Sequence, residues 1–220
     1  MNVEKRSALI VGATGLVGNE LLQLLLESDE YEKVKVLVRT PISLDNPKLT
    51  QCLVNFDELN NYEDEFAVND VFCCLGTTIK KAGSQEAFRK VDFEYPLQTA
   101  KLSAKQGAQQ FLIVSAIGAD PQSSIFYSRV KGEIEAALSQ LQLPSLHIFR
   151  PSLILGKRNE FRFGEKVSAV LSPVFSPLFI GKLNQYKPIQ ARKIAEAMYR
   201  TAIRSRKGEH IYKWEQMTSL

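Results

Sequence analysis

Ala8-Leu9-Ile10-Val11-Gly12-Ala13-Thr14-Gly15-Leu16-Val17-Gly18-Asn19-Glu20-Leu21-Leu22 joins an apolar run, a glycine turn and a segment of helical period. Four apolar residues without alternation suit a strand covered on both faces. Beyond the turn, apolar residues return at three- and four-residue spacings, the signature of an amphipathic helix. Glycine serves three purposes at such a junction. The first permits the tight turn, the second lets backbone N–H groups approach a diphosphate, and the third allows helix and strand to pack closely. The helix N-terminus then offers free N–H groups and the positive end of its dipole to an anion. A turn that uses glycine for geometry alone is the alternative. The position directly between a strand and a helix favours the diphosphate.

The same alternation continues along the chain. Strands are expected at Ala8–Val11, Val34–Val38, Cys52–Val54, Val71–Leu75, Phe111–Ser115 and Leu146–Phe149, with helices at Leu16–Leu26, Gln85–Gln106 and Ser124–Leu141. Strand, helix, strand in repetition implies right-handed crossovers, hence an α/β, Rossmann-type doubly wound parallel sheet. Pro41 and Pro47 make Thr40–Gln51 an irregular loop. After Arg150 the character changes: Pro151, Pro173, Pro177 and Pro188 punctuate a stretch rich in phenylalanine. Ile189–Ile203 is then expected as a helix with Gly208 just past its end. Residues 1–220 are thus expected to form a single domain, with 155–190 as a small C-terminal cap on the substrate side. Within it, the apolar Val167–Ile180 suits the wall of a pocket better than a subunit contact or a membrane surface.

Composition excludes several classes. There are 28 Lys and Arg against 24 Asp and Glu, a net charge of +4, without the dense basic stripe of a nucleic-acid binder. Arg200, Arg204, Arg206 and Lys207 crowd the end of the last helix, where its dipole favours cations. Two histidines, His147 and His210, have no acid or cysteine at ligand spacing, so no metal site is expected. Cys73 and Cys74 sit side by side in an apolar strand and suit reduced, buried residues. No stretch approaches the ~18 apolar residues of a membrane span and MNVEKRSALIVG lacks a signal-peptide pattern, so a cytoplasmic monomer or homodimer is expected. A G-x-S-x-G elbow is absent from the chain.

The second strand ends Leu37-Val38-Arg39-Thr40, where an NAD-preferring unit carries an acid for the ribose 2′-hydroxyl. A guanidinium there can pair with a 2′-phosphate, so NADP(H) is expected over NAD(H); an ordinary solvated arginine is the alternative reading. Further on, Ser115 ends the fifth strand, and Tyr127 and Lys131 share one face of a helix at i and i+4. An ammonium near a phenol favours its ionised form, so Tyr127 is expected to exchange a proton with a carbonyl or alcohol oxygen that Ser115 also holds.

Gly12-Ala13-Thr14-Gly15-Leu16-Val17-Gly18, the strand-end Ser115 and Tyr127-Ser128-Arg129-Val130-Lys131 together resemble the short-chain dehydrogenase/reductase superfamily. The match is closest to an atypical branch, the Tat-interacting-protein-type oxidoreductases and their bacterial relatives. Cys73-Cys74-Leu75-Gly76-Thr77-Thr78, Arg89-Lys90-Val91-Asp92, Ser115–Asp120 and Phe149-Arg150-Pro151 are similar as well. The resemblance implies that Gly12, Ala13, Thr14, Gly15, Leu16 and Gly18 hold the pyrophosphate and Arg39 the 2′-phosphate. It implies that Leu75 and Gly76 line the ribose, and that Tyr127 and Lys131 contact the nicotinamide ribose. Ile154 and Arg162 match family cofactor contacts after the Phe-Arg-Pro segment. The implied activity is an NADP-dependent dehydrogenase or reductase acting on a small carbonyl or alcohol, with a non-catalytic NADP(H)-sensing module as the rival. Two positions depart from the pattern. Asp92 stands near the place of an asparagine that completes a proton relay in many members, and Val11 replaces the threonine or serine that often precedes the first glycine.

Overall fold

The computed structural model describes residues 5–156 and 185–220. Seven parallel strands form one sheet in the order β3-β2-β1-β4-β5-β6-β9. They are β1 (Arg6–Val11), β2 (Tyr31–Val38), β3 (Leu49–Leu53), β4 (Asp70–Cys73), β5 (Gln110–Val114), β6 (Ser145–Phe149) and β9 (Gly208–Tyr212). Strand order reverses between β1 and β4, which opens a crevice at the carboxyl ends of these two strands. This is the expected doubly wound fold.

Alternation along the strands splits the core into two layers. Ala8, Ile10, Val34, Val36, Phe72 and Leu112 face one side, covered by α1 (Leu16–Glu27) and α6 (Ala191–Arg204), which pack on each other. Leu9, Val11, Val71, Cys73, Phe111 and Ile113 face the other, covered by α4 (Tyr95–Lys105), α5 (Phe126–Ser139) and the 3-10 turns of Phe56–Phe66. Two short helices, α2 (Ile79–Ala82) and α3 (Gln85–Arg89), precede α4.

The helix expected over Gln85–Gln106 is interrupted by a π-helical turn at Lys90–Glu94, where the Tyr95 N–H reaches back to the Lys90 carbonyl. Pro96 is the cause: it has no N–H to give the Asp92 carbonyl, and its ring would crowd that oxygen in a regular helix. Downstream, Ile154–Leu155 (β7) and Ile189–Gln190 (β8) form a separate parallel pair, so the last long helix begins at Ala191 rather than Ile189. The C-terminal helix α7 (Trp214–Ser219) packs on α6 and β9, and Trp214 Nε1–H donates to the Pro188 carbonyl just before β8 at 3.4 Å. Most of the expected 155–190 cap, including Val167–Ile180 and Arg162, lies outside the described residues.

Candidate active site

Gly12 leaves β1 with φ +90°, a backbone that favours glycine, and a Cβ there would stand 2.7 Å from the Cys74 carbonyl oxygen. The turn thus lies directly against the loop after β4. Its Gly15 N–H closes on the Gly12 carbonyl at 3.0 Å, and the Asn19 N–H on the Gly15 carbonyl at 2.9 Å starts α1. At Gly18 a Cβ would run into the Gly12 carbonyl itself, which is why helix and turn approach so closely. No side chain caps α1, so its first N–H groups are left for a ligand or water. The glycines let strand, turn and helix close up on one another, which brings the free N–H groups at the start of α1 to the carboxyl end of β1.

The neighbours of this turn come from three places. Arg39 follows β2 and is exposed. Leu75 and Gly76 follow β4, where the Cys74 N–H donates to the Val11 carbonyl at 2.7 Å. Ile154, in β7, is half-buried and packs on the same core layer as Leu16, and a Cβ at Gly156 would stand 2.7 Å from Leu16 Cδ2. The end of β7 therefore lies over the start of α1.

Tyr127, Lys131 and Glu135 follow one another down a single face of α5, each a helical turn apart. Tyr127 is half-buried beside Phe88, with ring centroids 5.5 Å apart. One turn deeper, Lys131 Nζ lies 2.7 Å from Asp92 Oδ1, and both side chains are almost wholly buried. The other oxygen of Asp92 accepts the Thr77 N–H at 2.9 Å. Deeper still, Glu135 accepts from Arg150, with Nε 3.1 and 3.0 Å from its two oxygens, and from the Ser115 hydroxyl.

Two electrostatic results differ from expectation. Burial raises the Tyr127 phenol above its ordinary value; Lys131 pulls it down, but Asp92 pushes it up again, and the net shift is upward. For Lys131, burial disfavours the charge, but Asp92, Tyr127 and Cys73 outweigh it and the ammonium is held more firmly than usual. The net depression of the Tyr127 pKa expected from its lysine is thus not seen: burial outweighs the pull of Lys131, and Asp92 opposes that pull. Burial pushes the Cys73 thiol up to about 12, so it stays protonated. Ser115 also differs from expectation: its one proton goes to Glu135, which leaves the oxygen only lone pairs to offer.

No protein-family model matches the chain. The rat protein HTATIP2 (Rattus norvegicus) is 38% identical over 167 residues, which cover 74% of this chain and 69% of that one. The yeast protein FMP52, mitochondrial, of Lodderomyces elongisporus is 30% identical over 217 residues, 92% of this chain and 89% of its own length. This chain belongs to the HTATIP2/FMP52 branch of the atypical short-chain dehydrogenase/reductases. The fold agrees: MoeE5 in complex with UDP-glucuronic acid and NAD superposes with a TM-score of 0.72 at 14% identity, over 97% of this chain and 80% of that one. The UDP-glucose 4-epimerase of Thermotoga maritima gives 0.70 at 15%, over 94% and 76%. Among the described residues, no helix of this family member is long and apolar enough to cross a membrane, and no group of His, Cys, Asp and Glu could hold a metal ion.

Two contacts of the candidate site escaped the sequence. Asp92 was visible as a departure from the family pattern, but its pairing with Lys131 depends on the π turn. Glu135 had a signal, the four-residue spacing from Tyr127 and Lys131, yet nothing in the sequence joins it to Arg150 and Ser115.

Proposed function

We propose that the protein is an NADP(H)-dependent oxidoreductase acting on a small or medium carbonyl or alcohol compound. The observation that carries this reading is the phenol of Tyr127 standing one helical turn above a buried ammonium–carboxylate pair, near the carboxyl ends of β4 and β5. The uncapped start of α1 and the tight turn from Gly12 to Gly18, with Ala13, Thr14 and Leu16 between, would hold the diphosphate of the cofactor. Arg39 would pair with the 2′-phosphate, while Leu75, Gly76 and Ile154 would line the ribose, and Arg162 is proposed on the family resemblance alone. The nicotinamide, when bound, supplies or accepts the hydride.

The residues of this chain handle the proton. Tyr127, protonated at neutral pH, donates to the oxygen of a carbonyl as the carbon is reduced, and takes the proton back in the reverse direction. Lys131 fixes the ribose and the electrostatic surroundings of the phenol. Ser115 can accept from an alcohol hydroxyl, but with its proton on Glu135 it leaves acid catalysis to Tyr127. Three free cysteines, Cys52, Cys73 and Cys74, accord with the cytoplasm.

The commitment of Ser115 to Glu135 favours a second reading, a non-catalytic NADP(H) sensor or interaction module on the same fold. NADPH oxidation against a panel of aldehydes, ketones and quinones separates the two. Turnover that falls ~10²-fold or more in Tyr127→Phe supports catalysis. Equal rates for wild type and Tyr127→Phe on every active substrate would refute it.

A further inference from the structure

The carboxylate of Asp92 ties together three segments that sequence keeps apart. It sits on the π turn, receives the Thr77 amide of the loop after β4 at 2.9 Å, and meets Lys131 Nζ of α5 at 2.7 Å. A Cβ added at Gly76, on the same loop, would come within 3.6 Å of its Oδ1. We propose that Asp92 is a positioning residue of this site, locking the Lys131 ammonium onto the loop after β4 so that Lys131 works as half of a neutral pair and not as a free cation beside Tyr127.

The reasons are physical. Side chains of Asp92 and Lys131 are 1% and 6% exposed, so water can screen neither charge. Facing Lys131 are Asp92 from the π turn, Tyr127 from its own helix and the neutral Cys73 thiol from β4. With the opposite charges 2.7 Å apart, their fields at the phenol largely cancel. Tyr127 therefore keeps its proton through neutral pH, the state suited to donating to a carbonyl. The pair also couples the cofactor-facing loop to the acid, because Thr77 and Lys131 share one carboxylate. This inference rests on the oxidoreductase reading for its meaning, but its physical content can be tested without any substrate.

The test is a pH titration of ligand-free protein carrying tyrosine labelled with 13C at Cζ, read by NMR, with Tyr127→Phe assigning the signal. In wild type the Tyr127 signal stays that of a neutral phenol beyond the ordinary tyrosine midpoint of about 10. In Asp92→Asn the uncompensated lysine brings the phenolate in at least about one pH unit lower. In Asp92→Asn/Lys131→Met, where no charge is left, the signal follows wild type to within about half a unit. An unshifted Tyr127 in Asp92→Asn overturns the proposal. Should Asp92→Asn not fold, the double variant decides alone: a midpoint about a unit above wild type means Lys131 had acted as a free cation, and the proposal fails. A titration of the expected form in a protein that oxidises no NADPH would leave this inference standing and remove the oxidoreductase reading.

Discussion

Replacing Gly18 by alanine sets two effects of opposite sign against each other. Gly18 lies inside α1, and on helix propensity alone alanine would stabilise by about 0.8–1.0 kcal/mol. The added Cβ, however, runs into the carbonyl of Gly12, a backbone atom held by the hydrogen bond from Gly15 and pressed against Cys74. Neither side can move cheaply, since α1 is packed on α6 and the turn on the loop after β4. Overpacking of this kind costs roughly 1–3 kcal/mol. The clash wins, and Gly18→Ala is expected to be about 1 kcal/mol less stable in urea unfolding. Cofactor affinity should fall further than stability, because the shift moves the N–H groups at the start of the helix. Nucleotide titration of the folded variant measures that directly. A variant more stable than wild type by about 1 kcal/mol with unchanged nucleotide affinity would show that the turn has slack, and the reasoning would be refuted.

Other expectations follow from the same geometry. Arg39→Glu should lose or invert the preference for NADPH, a change of about 1.4 kcal/mol or more in fluorescence titrations; an unchanged preference would make Arg39 a bystander. At the amino-terminal end of the sheet, fully buried Asp70 receives two bonds from Arg6 and one from Tyr31, all at 2.6 Å, and one from Gln110 at 2.9 Å. Asp70→Asn should cost about 3 kcal/mol in urea unfolding without changing nucleotide affinity. Burial, then the field of His210, lowers His147 to about 4. An unfolded chain takes up that proton near 6.5 and the folded one only near 4, so this contribution is complete above pH 6.5 and is lost as pH falls toward 4. Its size should be about 2 kcal/mol, less than the full displacement implies because solvent reaches part of the His147–His210 stack. Replacing His147 by glutamine should flatten that acid limb, and a limb of unchanged steepness would assign it to other groups.

The central strands were legible because they are buried on both faces and so carry unbroken apolar runs. β9 was not: at the sheet edge, Glu209 and His210 interrupt its pattern, and only Tyr212 is buried. β3, at the other edge, starts at Leu49 and not at Cys52, because Thr50 and Gln51 conceal its beginning. Gln51 instead holds the preceding loop, exchanging hydrogen bonds with the backbone of Ile42. The 3-10 turns over Phe56–Phe66 were not expected, although Phe56, Leu59, Tyr62 and Phe66 recur at three- and four-residue spacings; non-helical backbone at Glu58 and Tyr62 breaks the stretch into short turns. At the site, the residues on one continuous element could be read directly, as with the glycine turn and the Tyr127–Lys131 spacing. Pairings across elements could not: Asp92 with Lys131 requires the π turn, and Ser115 with Glu135 and Arg150 requires the sheet to be assembled first.

The most direct measurement is calorimetric titration of the wild-type protein with NADPH and, separately, with NADH. Binding of both, with NADPH at least ~10-fold tighter, is the predicted outcome. Absence of heat with either coenzyme would contradict the assignment of the Gly12–Gly18 turn as a diphosphate cradle.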